Sequence, residues 1–307
     1  MLGTALLAAS RNRRVRTVVT KSPLTRRVVT RFIAGDDVTA AVGITRRLTS
    51  GGFDVTLDHL GEDTFDRGQA EATRDAYLTL IKVLADQGLS TGAEASLKLS
   101  AMGQALPGGA SLAADNAAAI CAAAAGAGMT VTLDMEDHTT VDSTLGILAG
   151  LRKEHPWVGV AVQAMLYRTE ADCRDLATTG SRVRLVKGAY AEPKSVAYPA
   201  KADVDRAYVR CLDILMSGLG HPMVATHDPR MIAIAQRLAV QRGKSPEDFE
   251  FQMLYGIRTG VQEQLRAQGN RMRIYVPYGD DWYGYFMRRL AERPANVAFL
   301  LRALTTR

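Results

Sequence analysis

Near the C-terminus, the stretch DDWYGYFMRRLAERP places Tyr285, Arg288, Arg289 and Glu292 at successive spacings that share one helical face. Two adjacent arginines one turn from a tyrosine form a fork for a carboxylate or a phosphate. The same spacing also suits a solvated helix with Arg288 and Glu292 as an ordinary ion pair. The preceding YVPYGDDWYGY, with Tyr275 on a strand and Gly279 in a turn, supplies an aromatic wall beside the fork.

Two other segments carry reactive or charged groups where a strand gives way to a loop. In VRLVKGAY, Lys187 and Gly188 leave a strand together and offer a cation beside accessible backbone. In VATHDP, Thr226 and His227 stand just before a helix N-terminus able to receive a phosphate oxygen. A solvated lysine and a structural histidine are the plain alternatives at both places. The histidines His59, His138, His155, His221 and His227 show no metal-ligand spacing, and no metal is expected. Asp134, Glu136 and Asp137 are close in sequence, but alternate strand residues face opposite ways. No GxSxG elbow, Walker loop or GxGxxG fingerprint is present.

The elements that must hold these groups recur in order. β-rich runs begin near Phe53, Glu94, Met129, Gly159, Arg182, Pro222, Phe249 and Met272, with helical periodicity between them. Asp228-Pro229 and Ser245-Pro246 both read as helix starts. Strand then helix, eight times, predicts an α/β chain folded as a (βα)8 TIM-type barrel. An open doubly wound sheet would alternate similarly, but its glycine fingerprint is missing. The strand ends then supply Asp58, Lys98, Asp134, Gln163, Arg184 with Lys187, Thr226 with His227, Gln252 and Tyr275, so the site is expected there.

Composition agrees with an enzyme-sized globular chain: 307 residues, 47% hydrophobic and 23% charged. Cys121, Cys173 and Cys211 form no CxxC, which suits buried thiols in a reducing compartment. The long uncharged run from Asn116 to Leu133 reads as a buried helix, a glycine turn and a strand, so no membrane span is expected. The net charge is +6, with Arg11, Arg13, Arg14, Arg16, Lys21, Arg26, Arg27 and Arg31 preceding the first acid at Asp36. Residues 1–35 are therefore set apart as a basic N-terminal helical arm and 36–307 as one barrel domain. An anionic membrane surface is a better partner for such an arm than nucleic acid, for which no motif exists.

Taken together, LKLS, LDMED, VQAM, VRLVKGAY, ATHD, EFQMLYGIR and IYVPYGDDWYGYFMRRLAERPAN resemble the proline dehydrogenase family. This is the flavin barrel that also forms the first enzyme of proline utilisation A. The resemblance implies a distorted (βα)8 barrel with extra N-terminal helices that holds FAD without a Rossmann domain. It implies that Lys98, Arg288 and Arg289 bind the carboxylate of L-proline, that Tyr275 and Tyr285 pack over its ring, and that Glu292 holds the arginines. Asp134, Arg184 and Tyr275 become the catalytic group, with Leu254 as an apolar wall. Met135, Gln163, Val186, Lys187, Gly188, Ala189, Tyr190, Thr226, His227 and Gln252 become FAD contacts.

The implied reaction is hydride transfer from proline C5 to flavin, giving Δ1-pyrroline-5-carboxylate, with electrons passing on to a quinone. Tyr275 implies proline over hydroxyproline. The chain stops at Arg307, implying a monofunctional enzyme whose pathway partner is a separate pyrroline-5-carboxylate dehydrogenase. A cytoplasmic location with peripheral contact at the inner membrane face is expected. Asp228 departs from the asparagine frequent in the family and adds negative charge beside the presumed phosphate region. Two other readings stay open: a methylenetetrahydrofolate reductase-like flavin barrel, and a basic protein that binds nucleic acid or membrane without catalysis.

Overall fold

The computed structural model describes residues 28–61 and 64–292, and the side chains of 288–292 lie outside that description. Eight parallel strands close into a barrel in chain order. They are β1 (Asp54–His59), β2 (Ala93–Leu97), β3 (Thr130–Leu133), β4 (Gly159–Gln163), β5 (Arg182–Val186), β6 (His221–Ala225), β7 (Glu250–Leu254) and β8 (Met272–Tyr278). Closure comes from β1 and β8, paired from Asp54 with Arg273 through His59 with Tyr278. Helix α1 (Val38–Ser50) precedes the barrel. Then α2 (Arg67–Asp86), α3 (Gly109–Ala127), α4 (Val141–Leu151), α5 (Thr169–Leu176), α6 (Lys201–Ser217), α7 (Pro229–Gln241), α8 (Thr259–Ala267) and α9 (Tyr283–Glu292) follow β1 to β8 in turn.

Alternation along the strands sorts their side chains into two environments. Val55, Leu57, Ala95, Leu97, Val131, Leu133, Val183, Leu185, Phe251, Met253, Ile274 and Val276 are buried in the apolar cluster that the helices complete. Most of the intervening positions are polar or charged and meet inside the barrel, with apolar Gly159, Ala161, Met223 and Ala225 of β4 and β6 beside them. Glu94 of β2 bonds Thr56 of β1, Arg182 and Arg184 of β5, and Thr130 of β3. Barrel interiors usually fill with branched aliphatics; this one fills with ion pairs.

The sequence-level boundaries hold with one exception. Asp228 caps α7 by accepting from Arg230 N, with Pro229 at the first turn. Ser245-Pro246 does not open a helix. Asp248 accepts from both Ser245 N and Ser245 Oγ, which closes a turn before β7. The Asn116–Leu133 run is the end of α3, a left-handed Gly128 cap and β3. Helix α3 is long and apolar enough to cross a membrane by length and composition. It lies on the barrel wall, with Leu112, Ala113, Ala117, Ile120, Cys121 and Ala124 facing the core. All three cysteines are buried, and burial pushes the Cys121 thiol up to about 12.

Most of the basic arm, residues 1–27, lies outside the described residues. Its last part is packed. Val28, Val29, Phe32 and Ile33 form a second apolar cluster with Leu60, Ile257, Trp282, Tyr285 and Phe286. Ala34 N donates to Pro277 O, and Gly279 N donates to Gly35 O, tying this segment to the end of β8.

Candidate active site

Asp134 stands one residue beyond β3 and gathers groups from three other strands, β2, β5 and β8, around its carboxylate. Oδ1 accepts from Ser96 Oγ at 2.9 Å and Arg184 Nη1 at 2.7 Å, and Oδ2 accepts from Tyr275 OH at 2.8 Å. Lys98 Nζ lies 3.8 Å from Oδ2 and 2.5 Å from Asp58 Oδ1. Thus Asp134, Arg184 and Tyr275 are joined by hydrogen bonds and Lys98 by an ion pair, so residues proposed from four distant segments form one group. Glu136 and Asp137 turn elsewhere, to Ser100 and Thr139.

Arg184 is the hub. Its Nε donates to Gln252 Oε1 at 2.6 Å, Nη1 also donates to Ser96 Oγ, and Nη2 donates to Glu94 Oε1 at 2.7 Å. The guanidinium carbon lies 5.3 Å from the Tyr275 ring centre, a cation–π distance. Arg184 is 3% exposed, so its charge rests on Glu94 and Asp134 rather than on water. Arg184, Gln252 and Tyr275 lie within their strands, not at the strand ends where sequence reading put them. The polar site therefore extends down into the barrel.

Burial and charge set the protonation states. Burial pushes the Tyr275 hydroxyl well above its ordinary value, and the carboxylates of Asp134 and Asp58 add to this against Arg184, so Tyr275 is a neutral donor. Burial raises the Asp58 carboxyl, while Lys98 pulls it down. Burial also acts upward on Glu94, but Arg273, Arg182 and Arg184 outweigh it and hold that carboxyl at about 2.

A second polar group surrounds the ends of β5 and β6. Lys187 pairs with Asp205 and, at 3.0 Å, with Asp228. Arg230 joins both carboxylates, at 2.8 Å to Asp205 and 2.7 Å to Asp228. Asp228 is therefore neutralised on two sides, and the N-terminus of α7 is already capped by it. Thr226 Oγ1 accepts from Asp228 N, and Thr226 N donates to Gln252 O. His227 Nε2 accepts from Leu254 N at 3.0 Å, which fixes the ring against the end of β7.

Gly188 adopts φ 112°, and a Cβ there would lie 2.4 Å from Met165 Sδ, so glycine is required by packing. Val186 closes β5, and Ala189 and Tyr190 beyond Gly188 are exposed. Gln163 Nε2 donates to Glu136 O at 2.6 Å, next to buried Met135. Tyr285 is buried in the Trp282 cluster, against which Leu254 packs. Helix α9 forms as expected, but the side chains of Arg288, Arg289 and Glu292 lie outside the described residues.

Sequence reasoning gave no role to Glu94, Ser96, Glu250 or Arg273, and named Asp58 only as a strand end. Their signal was present: charged or polar residues alternate with aliphatics in EASLK, RVRLVK, EFQ and MRIY. Inside a closed barrel, such residues can only face one another.

The sequence profile described as proline dehydrogenase matches residues 41–302. Proline dehydrogenase 2 of Bacillus subtilis is 41% identical over 275 residues, covering 90% of this chain and 89% of the relative. Proline dehydrogenase 1 of the same organism is 38% identical over 304 residues, 99% of each. Among solved structures, proline utilization A from Bdellovibrio bacteriovorus, inactivated by N-propargylglycine, superposes with a TM-score of 0.81 at 25% identity. It covers 92% of this chain and 34% of that longer one.

Proposed function

The chain belongs to the proline dehydrogenase family, and on that premise we propose that it oxidises L-proline to Δ1-pyrroline-5-carboxylate with FAD as acceptor and a quinone as the onward oxidant. It is an oxidoreductase of that family, and the family match, over residues 41–302, removes the methylenetetrahydrofolate reductase-like and non-enzymatic alternatives. The observation that carries the reading is the joined Lys98, Asp134, Arg184 and Tyr275 group inside the barrel.

The residues present fit a flavin. Gly188 turns the chain so that residues 189 and 190 are open to a ligand, and Arg184 is a fixed cation beneath the mouth. Lys187 and Arg230 are cations suited to a pyrophosphate, although Asp205 and Asp228 hold both. Val186 through Tyr190, Met135, Gln163, Thr226, His227 and Gln252 are the residues that would hold FAD. Bound FAD supplies the acceptor for two electrons and a hydrogen from C5 of proline.

The chain's own residues bind, orient and exclude water. Lys98, with Arg288 and Arg289 positioned by Glu292, takes the substrate carboxylate as a charge-assisted group. Tyr275, Tyr285 and Leu254 wall the ring. Asp134 keeps Tyr275, Arg184 and Lys98 in register, so they need little reorganisation during reaction. A dry mouth favours the neutral amine, the form able to release hydride. The product's consumer is a pyrroline-5-carboxylate dehydrogenase activity. We place the enzyme in the cytoplasm, meeting the inner membrane face through its basic N-terminal residues.

The test is the anaerobic visible spectrum of the purified protein before and after L-proline. Bleaching by proline and not by NADPH is expected. A flavin indifferent to proline removes the substrate, and a protein that takes up no FAD removes the cofactor.

A further inference from the structure

The barrel floor beneath Arg184 is built from fully buried charges. Glu94 is 0% exposed and accepts on both oxygens: Thr56 Oγ1 and Arg184 Nη2 on Oε1, Arg182 Nη2 and Thr130 Oγ1 on Oε2. Beside it, Glu250 accepts from Arg273 Nε at 2.7 Å and from Gln252 Nε2 at 2.6 Å, and Gln252 in turn accepts from Arg184. Arg273 is anchored below by Val55 O and Gly92 O. Arg184 spends Nε on Gln252, Nη1 on Ser96 and Asp134, and Nη2 on Glu94, so its guanidinium is held in one orientation.

Two buried side chains set the plane of that guanidinium from below: Glu94 directly, and Glu250 through Gln252. Asp134 and Ser96 complete it from the mouth side. A buried carboxylate 2.7 Å from one guanidinium nitrogen also offsets half of a charge that two acids share. Simple fold maintenance would be met more cheaply by aliphatics, because buried ion pairs seldom add net stability over packed apolar residues. Their placement beneath one arginine calls for another role.

We propose that Glu94 is a positioning residue for the oxidation, acting through Arg184 to fix the orientation and the net field that the barrel presents at its mouth. It touches neither substrate nor flavin. The inference rests on the proline dehydrogenase reading above and assigns a role that no strand-end position reveals. Removing the Glu94 charge leaves Arg184 less neutralised, so a reduced, more anionic flavin becomes easier to form and the bound flavin's potential rises. It also loosens the guanidinium, so kcat falls. Lys98, the carboxylate anchor among the described side chains, is held by Asp58 and Asp134, so KM for proline changes less than kcat.

The experiment compares holoenzyme with Glu94→Gln and with the double variant Glu94→Gln/Arg182→Gln. The double variant removes the partner cation as well, which restores charge balance and guards against simple misfolding. Melting temperature, flavin content, flavin potential by equilibration with a reference dye, and steady-state kcat and KM are measured for each. The expected result is a single variant with a raised potential, and a double variant that melts and loads FAD like the parent and returns toward its potential, yet keeps a kcat at least about tenfold lower, with KM within about threefold. A double variant that regains the parent's potential and kcat overturns the proposal and leaves Glu94 a structural partner of Arg182. Parent enzyme whose flavin ignores proline overturns the underlying reading and this one with it, and that control is read before any variant.

Discussion

The Tyr275 hydroxyl donates to Asp134 Oδ2 across 2.8 Å, while Oδ1 of the same carboxylate receives Arg184. One acid thus ties the strand that carries the aromatic wall to the strand that carries the buried cation. Tyr275 belongs to β8 and Arg184 to β5, on different sides of the barrel, and Asp134 and the cation–π approach join them.

Tyr275→Phe keeps the ring and removes the donor. Asp134 then loses one of its bonds, a deficit of about 1 kcal/mol where water cannot replace it. We expect kcat/KM for proline to fall about tenfold with the melting temperature nearly unchanged. Steady-state kinetics alongside a thermal melt will show it. Parent-like kinetics would mean that the hydroxyl only fills space.

Arg184→Gln leaves Glu94 and Asp134 each short of a buried cation. Breaking a buried pair on one side costs about 3–5 kcal/mol. Urea unfolding followed by circular dichroism is the measurement. A loss below about 1 kcal/mol would mean that water enters the barrel floor freely.

Acid stability follows from the floor. Glu94 is held at about 2 against an ordinary 4.5, and Glu250 is also held well below 4.5, in each case by arginines outweighing burial. A depressed folded-state value stabilises fully above the unfolded value, so the contribution is complete above about pH 4.5 and is lost as pH falls toward about 2. Urea midpoints should therefore decline steadily below pH 4.5. Glu94→Gln should flatten that decline.

Asp228→Asn retains the side-chain oxygen that caps α7 and removes the charge that holds Lys187 and Arg230. With Asp205 left as their shared carboxylate, Lys187 and Arg230 should bind FAD more tightly, by roughly two- to fivefold, the size of one partly exposed charge pair. Fluorescence titration of apoprotein with FAD measures it directly. Unchanged affinity would place the pyrophosphate away from this cluster.

Replacing Arg11, Arg13, Arg14, Arg16 and Lys21 by glutamine leaves the packed Val28–Ile33 cluster intact. At about 1 kcal/mol per basic residue near an anionic bilayer, vesicle binding should fall by more than about tenfold. Cosedimentation with anionic phospholipid vesicles reads this. Equal binding by parent and variant would remove the membrane role of the N-terminal residues.

The barrel class and the strand segments that carry Lys98, Asp134, Arg184 and Tyr275 were legible in the chain, because period-two aliphatics and eight alternating elements admit few other folds; the structure brings those four side chains together. The helix expected at Ser245-Pro246 was not there. Asp248 reaches back to both Ser245 groups and makes a turn of what looked like a cap. Local pattern also told nothing of Glu94, Glu250 and Arg273, which lie far from one another in sequence. Alternation says that such side chains leave one face of a strand; it does not say that the face is enclosed. Closure of β1 on β8 decides that. It shuts water out, and a buried charge must then find an opposite charge across the barrel. The sequence determined which residues would face inward, and the tertiary structure decided which of them would meet.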